Sequence, residues 1–274
     1  MQPGPPRPAP NVPLRVEPAR IIGSPVVSLD PPDSGPTVST PADGAILGRL
    51  VVITKEGGEG ASYPLRAQLD IGRSQGDVVI AEDPYLSPRH ARILARGAPG
   101  TPQTFALVDL ASTNGIYVRL NREGAREVGL EDQDLFLAGQ QVLKFEIVRD
   151  AEEGLAPATQ HGTLVFGTPA ARRYARISQR SVEGVARDVF HVLKAETVIG
   201  RESGDIVFTD DPFLSRRHAA IKYDQPSRHF VLADLGSSNG TFIQIRGEVT
   251  IKSGDQFRIG QQLFRIDLSA APAL

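Results

Sequence analysis

The sequence predicts an all-β protein, two β-sandwiches in tandem behind a proline-rich tail. Three observations carry this: short runs in which apolar and polar residues alternate, frequent turn signals, and an internal repeat that spans most of the chain. Leu143, Phe145 and Ile147 alternate with Lys144 and Glu146, and Phe264, Ile266 and Leu268 alternate with Arg265 and Asp267. A period of two turns one face of a strand toward a core. Asn114-Gly115 and Asn239-Gly240 are hairpin-type turn pairs. No uninterrupted apolar stripe at helical spacing competes with this pattern.

Composition narrows the function classes. The 274 residues contain 30 basic and 32 acidic side chains, a formal net charge of −2, and no Cys or Trp. Without Cys there are no disulfides, thiolate nucleophiles or Cys-ligated zinc sites. A near-neutral balance gives no reason to expect nucleic acid or a membrane as partner. The apolar stretch Ile21 to Val27 is broken by Gly23 and Pro25, too short for a membrane span or a signal-peptide core. A soluble, cytoplasmic protein is the expectation.

Taken in order, residues 1–47 read as a disordered tail, because 12 of the 22 prolines fall within residues 1 to 41. Each proline removes a backbone donor and pushes its predecessor toward extended geometry. Residues 48–149 form the first expected domain, 150–170 an Ala-, Gly- and Thr-containing linker, and 171–269 the second domain. The two domains repeat each other. Residues 67–93 (AQLDIGRSQGDVVIAEDPYLSPRHARI) match 195–221 (AETVIGRESGDIVFTDDPFLSRRHAAI) at 15 of 27 positions, offset by 128. FALVDLASTNGIYV (105–118) matches FVLADLGSSNGTFI (230–243) at an offset of 125. DLFLAGQQVLKFEI (134–147) matches DQFRIGQQLFRIDL (255–268) at 121. The offset shrinks across Gly- and Pro-containing stretches, where loops tolerate insertions.

The residues shared by the copies are polar and fall at predicted loops, so core packing does not explain them. Each copy carries Gly-Arg after a strand (Gly72-Arg73; Gly200-Arg201), Ser-x-Arg-His (Ser87 to His90; Ser215 to His218), and Asp-Leu-x-Ser-x-Asn-Gly (Asp109 to Gly115; Asp234 to Gly240). This set, in this order and twice over, resembles the forkhead-associated (FHA) domain. The resemblance covers about three quarters of the chain and implies sandwiches of about eleven strands, whose loops at one end bind phosphothreonine peptides.

The chemistry suits those residues. A phosphothreonine carries roughly −1.5 to −2 charge and three strong acceptor oxygens. Arginine offers a fixed fork of donors, and hydroxyls add short bonds. The resemblance implies that Arg73 and Arg201 hold the phosphate, with Ser87 and Ser215 bonding it directly and Thr113 and Ser238 beside it. Asn114 and Asn239 would bond the peptide main chain, and Arg89 and Arg216 complete the binding set. Gly72, His90, Asp109, Gly115, Gly200, His218, Asp234 and Gly240 would brace the loops. Hydrogen bonds to charged groups contribute about 1.5–3 kcal/mol each, which after peptide ordering leaves a complex of about −8 kcal/mol, or micromolar. The second copy has Arg216 where the first has Pro88, and Thr241 where the first has Ile116. The second domain is therefore the expected stronger binder.

The partner implied is a threonine-phosphorylated protein, placed by a Ser/Thr kinase, with no cofactor, metal, nucleic acid or membrane. The alternative is a structural scaffold that binds an unphosphorylated partner through the sandwich surface. A hydrolase built on Ser, His and Asp is set aside, because a Ser and a His three residues apart on a loop entering a strand need not face each other. Five His without any Cys or a His-x-x-x-His pair leave no metal shell. In the tail, Thr37 and Thr40 are candidate phosphoacceptors, Asp43 lying three residues after Thr40. About 20 flexible linker residues would span roughly 25 Å and allow two phosphothreonines to be gripped together.

Overall fold

The computed structural model describes residues 45–96, 104–120, 126–148, 155–169 and 171–268, and among these there are strands but no helix. The proline-rich stretch with Thr37 and Thr40 lies outside the described residues.

The first copy supplies β1 (Gly48–Ile53), β2 (Glu59–Leu65), β3 (Gln68–Gly72), β4 (Val78–Val79), β5 (Ala91–Arg96), β6 (Thr104–Asp109), β7 (Ile116–Leu120), β8 (Glu127–Leu130), β9 (Leu135–Ala138) and β10 (Gln141–Ile147). Two short exposed strands, β11 (Thr159–Gln160) and β12 (Thr163–Leu164), pair with each other in the expected linker. The second copy repeats the series as β13 (Ala175–Arg180), β14 (Ala186–Val192), β15 (Glu196–Gly200), β16 (Ile206–Val207), β17 (Ala219–Asp224), β18 (His229–Asp234), β19 (Thr241–Gln244), β20 (Glu248–Ile251), β21 (Gln256–Ile259) and β22 (Gln262–Leu268).

The strands do not close within the two expected stretches, and here the expectation is corrected. Strands β8, β9 and β10 leave the first copy and pair with β18, β19 and β13 of the second. Their counterparts β20, β21 and β22 go the other way, pairing with β6, β7 and β1. One sandwich is therefore β1–β7 with β20–β22, and the other is β13–β19 with β8–β10. At the seam β7 and β19 run antiparallel, with Leu120 facing Thr241 and Tyr117 facing Gln244. A ten-stranded sheet crosses both sandwiches in the order β14-β13-β10-β9-β19-β7-β21-β22-β1-β2.

The physical reason lies in the repeat itself. The lent strands present the same inward pattern, so either half-sandwich accepts either set. In the first core, Ile71, Ile93 and Leu107 pack with Phe257, Phe264 and Ile266 from the second copy. In the other, Phe136, Leu143 and Phe145 from the first copy pack with Ile177, Ile221 and Leu232, and Phe145 meets Phe230 edge-on at 4.9 Å. Fully burying one such side chain contributes about 1.5–3 kcal/mol, in either arrangement. The exchange adds a cluster at the seam, where Tyr117 and Leu137 of the first copy pack with Phe242 of the second. The seam, rather than a flexible linker, fixes how the two sandwiches are joined.

Candidate functional site

The three shared motifs of each copy meet at one rim of its sandwich. Gly72 ends β3 and Gly200 ends β15. A Cβ on Gly72 would stand 2.2 Å from the Pro88 carbonyl oxygen and 2.4 Å from that of Gln75. On Gly200 it would stand 2.2 Å from the Arg216 oxygen and 2.6 Å from that of Ser203. Only glycine lets the loops come this close. The next residue is then clamped to the serine loop, Arg73 N donating to Ser87 O at 2.9 Å and Arg201 N to Ser215 O at 3.0 Å.

The serine hydroxyls tie in the third motif. Ser87 Oγ accepts from Thr113 N at 3.0 Å, and Ser215 Oγ accepts from Ser238 N at 3.1 Å. Asn114 Nδ2 donates to Tyr85 O and Asn239 Nδ2 to Phe213 O, both at 2.9 Å. Arginine, serine and threonine or serine are thus neighbours in both copies, with Ser87 and Ser215 partly exposed and Thr113 and Ser238 exposed.

Beneath the rim sit the two histidines, both fully buried. Ser87 N donates to His90 Nδ1 at 3.0 Å and Ser215 N to His218 Nδ1 at 3.1 Å. The other ring nitrogen faces Gly115 O at 3.0 Å and Gly240 O at 3.2 Å. A backbone N–H only donates, so Nδ1 holds a lone pair and Nε2 carries the proton. Burial lowers the pKa of both rings and keeps them neutral. Each histidine staples the serine loop to the Asn-Gly turn.

The aspartates brace their own loops. Asp234 accepts from Gly236 N, Ser237 N, Ser237 Oγ and Thr241 Oγ1. Although burial opposes it, these bonds lower its pKa overall. Asp109 accepts from Ser112 N, and Ile116 stands where Thr241 would add a hydroxyl.

Three arginines of the expected binding set have carboxylate partners. Arg89 Nη2 lies 3.7 Å from Asp70 Oδ2, on β3. In the second copy Glu202 stands between two cations, its Oε1 3.0 Å from Arg201 Nη2 and its Oε2 3.0 Å from Arg216 Nε. The neighbouring guanidinium groups lower the Glu202 pKa, the Arg201 hydrogen bond most. Ser74 occupies the matching position in the first copy.

Asp83 and Asp211 were absent from the expected set. Asp83 accepts from Tyr85 N at 2.9 Å and from Gln261 N of the lent strands at 2.7 Å. Asp211 accepts from Phe213 N at 2.9 Å and from Gln140 N at 2.8 Å. Both carboxylates are buried and join the serine loop to the lent Gly-Gln-Gln turn. The signal was an Asp-Pro pair and a Gly-Gln-Gln run repeated in both copies.

A family model described as "FHA domain" matches residues 69–139 and 197–260. The chain is similar to the oxoglutarate dehydrogenase inhibitor of Corynebacterium diphtheriae, at 31% identity over 151 residues that cover 54% of this chain and 95% of that protein. It is also similar to the transcriptional regulatory protein EmbR of Mycobacterium tuberculosis, 26% identical over 220 residues, 76% of this chain and 54% of EmbR. The chain thus spans about half the length of that regulator. Among solved structures, EmbR of Mycobacterium tuberculosis in complex with a low-affinity phosphopeptide is 30% identical, with a TM-score of 0.18 over 34% of this chain and 28% of that one. Among the described residues no helix is long and apolar enough to cross a membrane.

Proposed function

We propose that this chain, which belongs to the FHA domain family, binds threonine-phosphorylated proteins at its two rims and works as a non-enzymatic adaptor in Ser/Thr kinase signalling. The observation that carries the reading is the convergence, in both copies, of a guanidinium residue with two hydroxyl residues joined by short bonds. Arg73 and Arg201 take phosphate oxygens through a fixed fork of donors. Ser87 and Ser215 add hydroxyl contacts, and Thr113 and Ser238 approach from the Asn-Gly loop. Asn114 and Asn239 keep Oδ1 for a peptide amide, their Nδ2 already donating to loop carbonyls. His90, His218, Asp109 and Asp234 hold the loops and perform no chemistry. A cytoplasmic setting, where such kinases act, completes the proposal.

The test uses the full chain and a fluorescent pool of phosphothreonine peptides with mixed flanks. Losing a hydrogen-bonding partner of a charged group costs about 1.5–3 kcal/mol. Arg73→Ala and Arg201→Ala should therefore each remove one binding event, weakening its rim about ten- to a hundredfold, and the double variant should not bind. If the double variant binds undiminished, or the unphosphorylated pool binds equally, the scaffold reading replaces this one.

Glu202 modifies the expectation that the second rim is the stronger. An anion entering there must displace a carboxylate already paired with Arg201 and Arg216. Glu202→Ser, which copies the first rim, is expected to tighten the second rim three- to tenfold in the same titration. An unchanged affinity would show that the carboxylate swings aside without competing.

The tail proposal is that Thr37 or Thr40, once phosphorylated, docks on a rim of this chain or of another copy. Kinase treatment followed by mass spectrometry should place phosphate on one of them, and Thr40→Ala controls for the second. Absence of phosphate on both ends that proposal.

A further inference from the structure

We propose that each rim is positioned by a side chain from the other copy: Arg119 of the first copy supports the second rim, and Gln244 of the second copy supports the first. The inference rests on the phosphopeptide reading of the rims and names residues that neither the motifs nor the family matches single out.

Arg119 lies on β7, the seam strand, where it registers with Phe242 of β19. Its Nη2 donates to Ser238 O at 3.3 Å, and its Nη1 donates to Gln256 Oε1 at 2.6 Å. Its Nε is buried without a hydrogen-bond partner. A Cβ on Gly240 would stand 2.2 Å from that Nε, so the guanidinium packs directly against the Asn239-Gly240 turn. Gly240 has φ +83, which glycine adopts without strain. Both reasons exclude a larger residue there.

Gln244 mirrors this. It lies on β19, registers with Tyr117, and its Nε2 donates to Asn114 O at 3.3 Å. A Cβ on Gly115, whose φ is +76, would stand 1.9 Å from Nε2. Arg119 and Gln244 are equivalent positions in the repeat, 125 residues apart. The seam is thus self-complementary, as two-fold interfaces are: each copy sends the same position beneath the partner copy's Asn-Gly turn.

The two supports differ in chemistry. The second rim has a cation behind Ser238, and the first has a neutral amide behind Asn114. A cation held beneath a loop that is to receive a dianion favours binding, and its fork also fixes the Ser238 carbonyl, and with it the adjoining Asn239. The local sequence of one copy therefore does not by itself set the affinity of its own rim.

The experiment crosses two sets of variants in the full chain. With Arg73→Ala leaving only the second rim, Arg119→Gln should weaken binding of the phosphothreonine peptide pool three- to tenfold, and Arg119→Lys should recover part of the loss. With Arg201→Ala leaving only the first rim, Arg119→Gln should change affinity less than twofold. Gln244→Ala should show the reverse pattern. A loss at the first rim from Arg119→Gln, or equal losses at both rims that track the melting temperature, overturns the proposal. A readout without ligand separates it from the phosphopeptide reading. In amide spectra of the free protein, Arg119→Gln should shift Ser238, Asn239 and Gly240 and leave Thr113 and Asn114 in place. Failure of peptide binding with this shift intact would indict the phosphopeptide reading alone, and absence of the shift would indict the cross-copy support.

Discussion

A chain carrying Arg49→Cys and Asp267→Cys is expected to form an intramolecular disulfide almost completely on air oxidation, whereas Arg49→Cys with Glu146→Cys is expected to form none. Arg49 and Asp267 are register partners on β1 and β22, and their side chains meet at 3.3 Å. Antiparallel partners have Cα atoms about 4.5–5.5 Å apart, within the range a disulfide spans. Glu146 is the repeat equivalent of Asp267, 121 residues earlier. It would be the neighbour of Arg49 had the first copy closed on its own strands. Instead Glu146 registers with Arg176, and Arg176 Nε donates to its Oε2 at 2.8 Å. The native sequence contains no Cys to compete. In the chain-entropy picture, cross-linking a loop of more than 100 residues stabilises by about 4.7 kcal/mol or more, so the first pair should also raise the melting temperature. Non-reducing gels and peptide mapping read the result. The reverse pattern would mean that each copy closes on itself, and a covalent dimer would mean that the exchange runs between chains.

That exchange was not legible in the sequence, and the reason is physical. A strand's period of two says which face it buries and not whose core receives it. DLFLAGQQVLKFEI and DQFRIGQQLFRIDL place apolar residues at the same inward positions, so either partner satisfies the pattern. What favours one arrangement is the seam cluster of Tyr117, Leu137 and Phe242, a product of the global fold. The all-β class was legible because alternation and turn residues are local. The convergence of Gly-Arg, Ser-x-Arg-His and Ser-x-Asn-Gly was legible because the pattern occurs twice. Motif position alone points to Arg89, yet its ion pair with Asp70 depends on the neighbouring β3. Glu202 left no repeat signal, since Ser74 is its counterpart. Its importance emerges only from lying between two guanidinium groups.

The second large effect concerns the histidines. His218→Ala should destabilise the protein by about 2–6 kcal/mol, because it leaves Ser215 N–H and Gly240 C=O buried without partners, at about 1–3 kcal/mol each. Against a typical total of about 5–15 kcal/mol this is a large share, and the Ser215 loop should loosen with it. Acid should act at the same two places without mutation. Both rings have a folded pKa below the ordinary value near 6.5, chiefly through burial. Above that value they are neutral whether folded or unfolded, and pH has no hold on them. As pH falls below it, the unfolded chain takes up protons that the folded chain refuses, so stability declines until the folded rings themselves protonate. The slope reaches about 1.4 kcal/mol per pH unit for each ring, or about 2.7 for the pair. Asp234, whose folded pKa is lowered, withdraws its contribution only at more acid pH, below the ordinary carboxylate range near 3.9. The window from pH 6.5 to 5 therefore reports on the histidines. Urea midpoints measured across it should fall in the native chain and fall about half as steeply in His218→Gln. A slope unchanged by that substitution would show that His218 is not the buried neutral staple between Ser215 and Gly240, and that another group sets the acid response of the second rim.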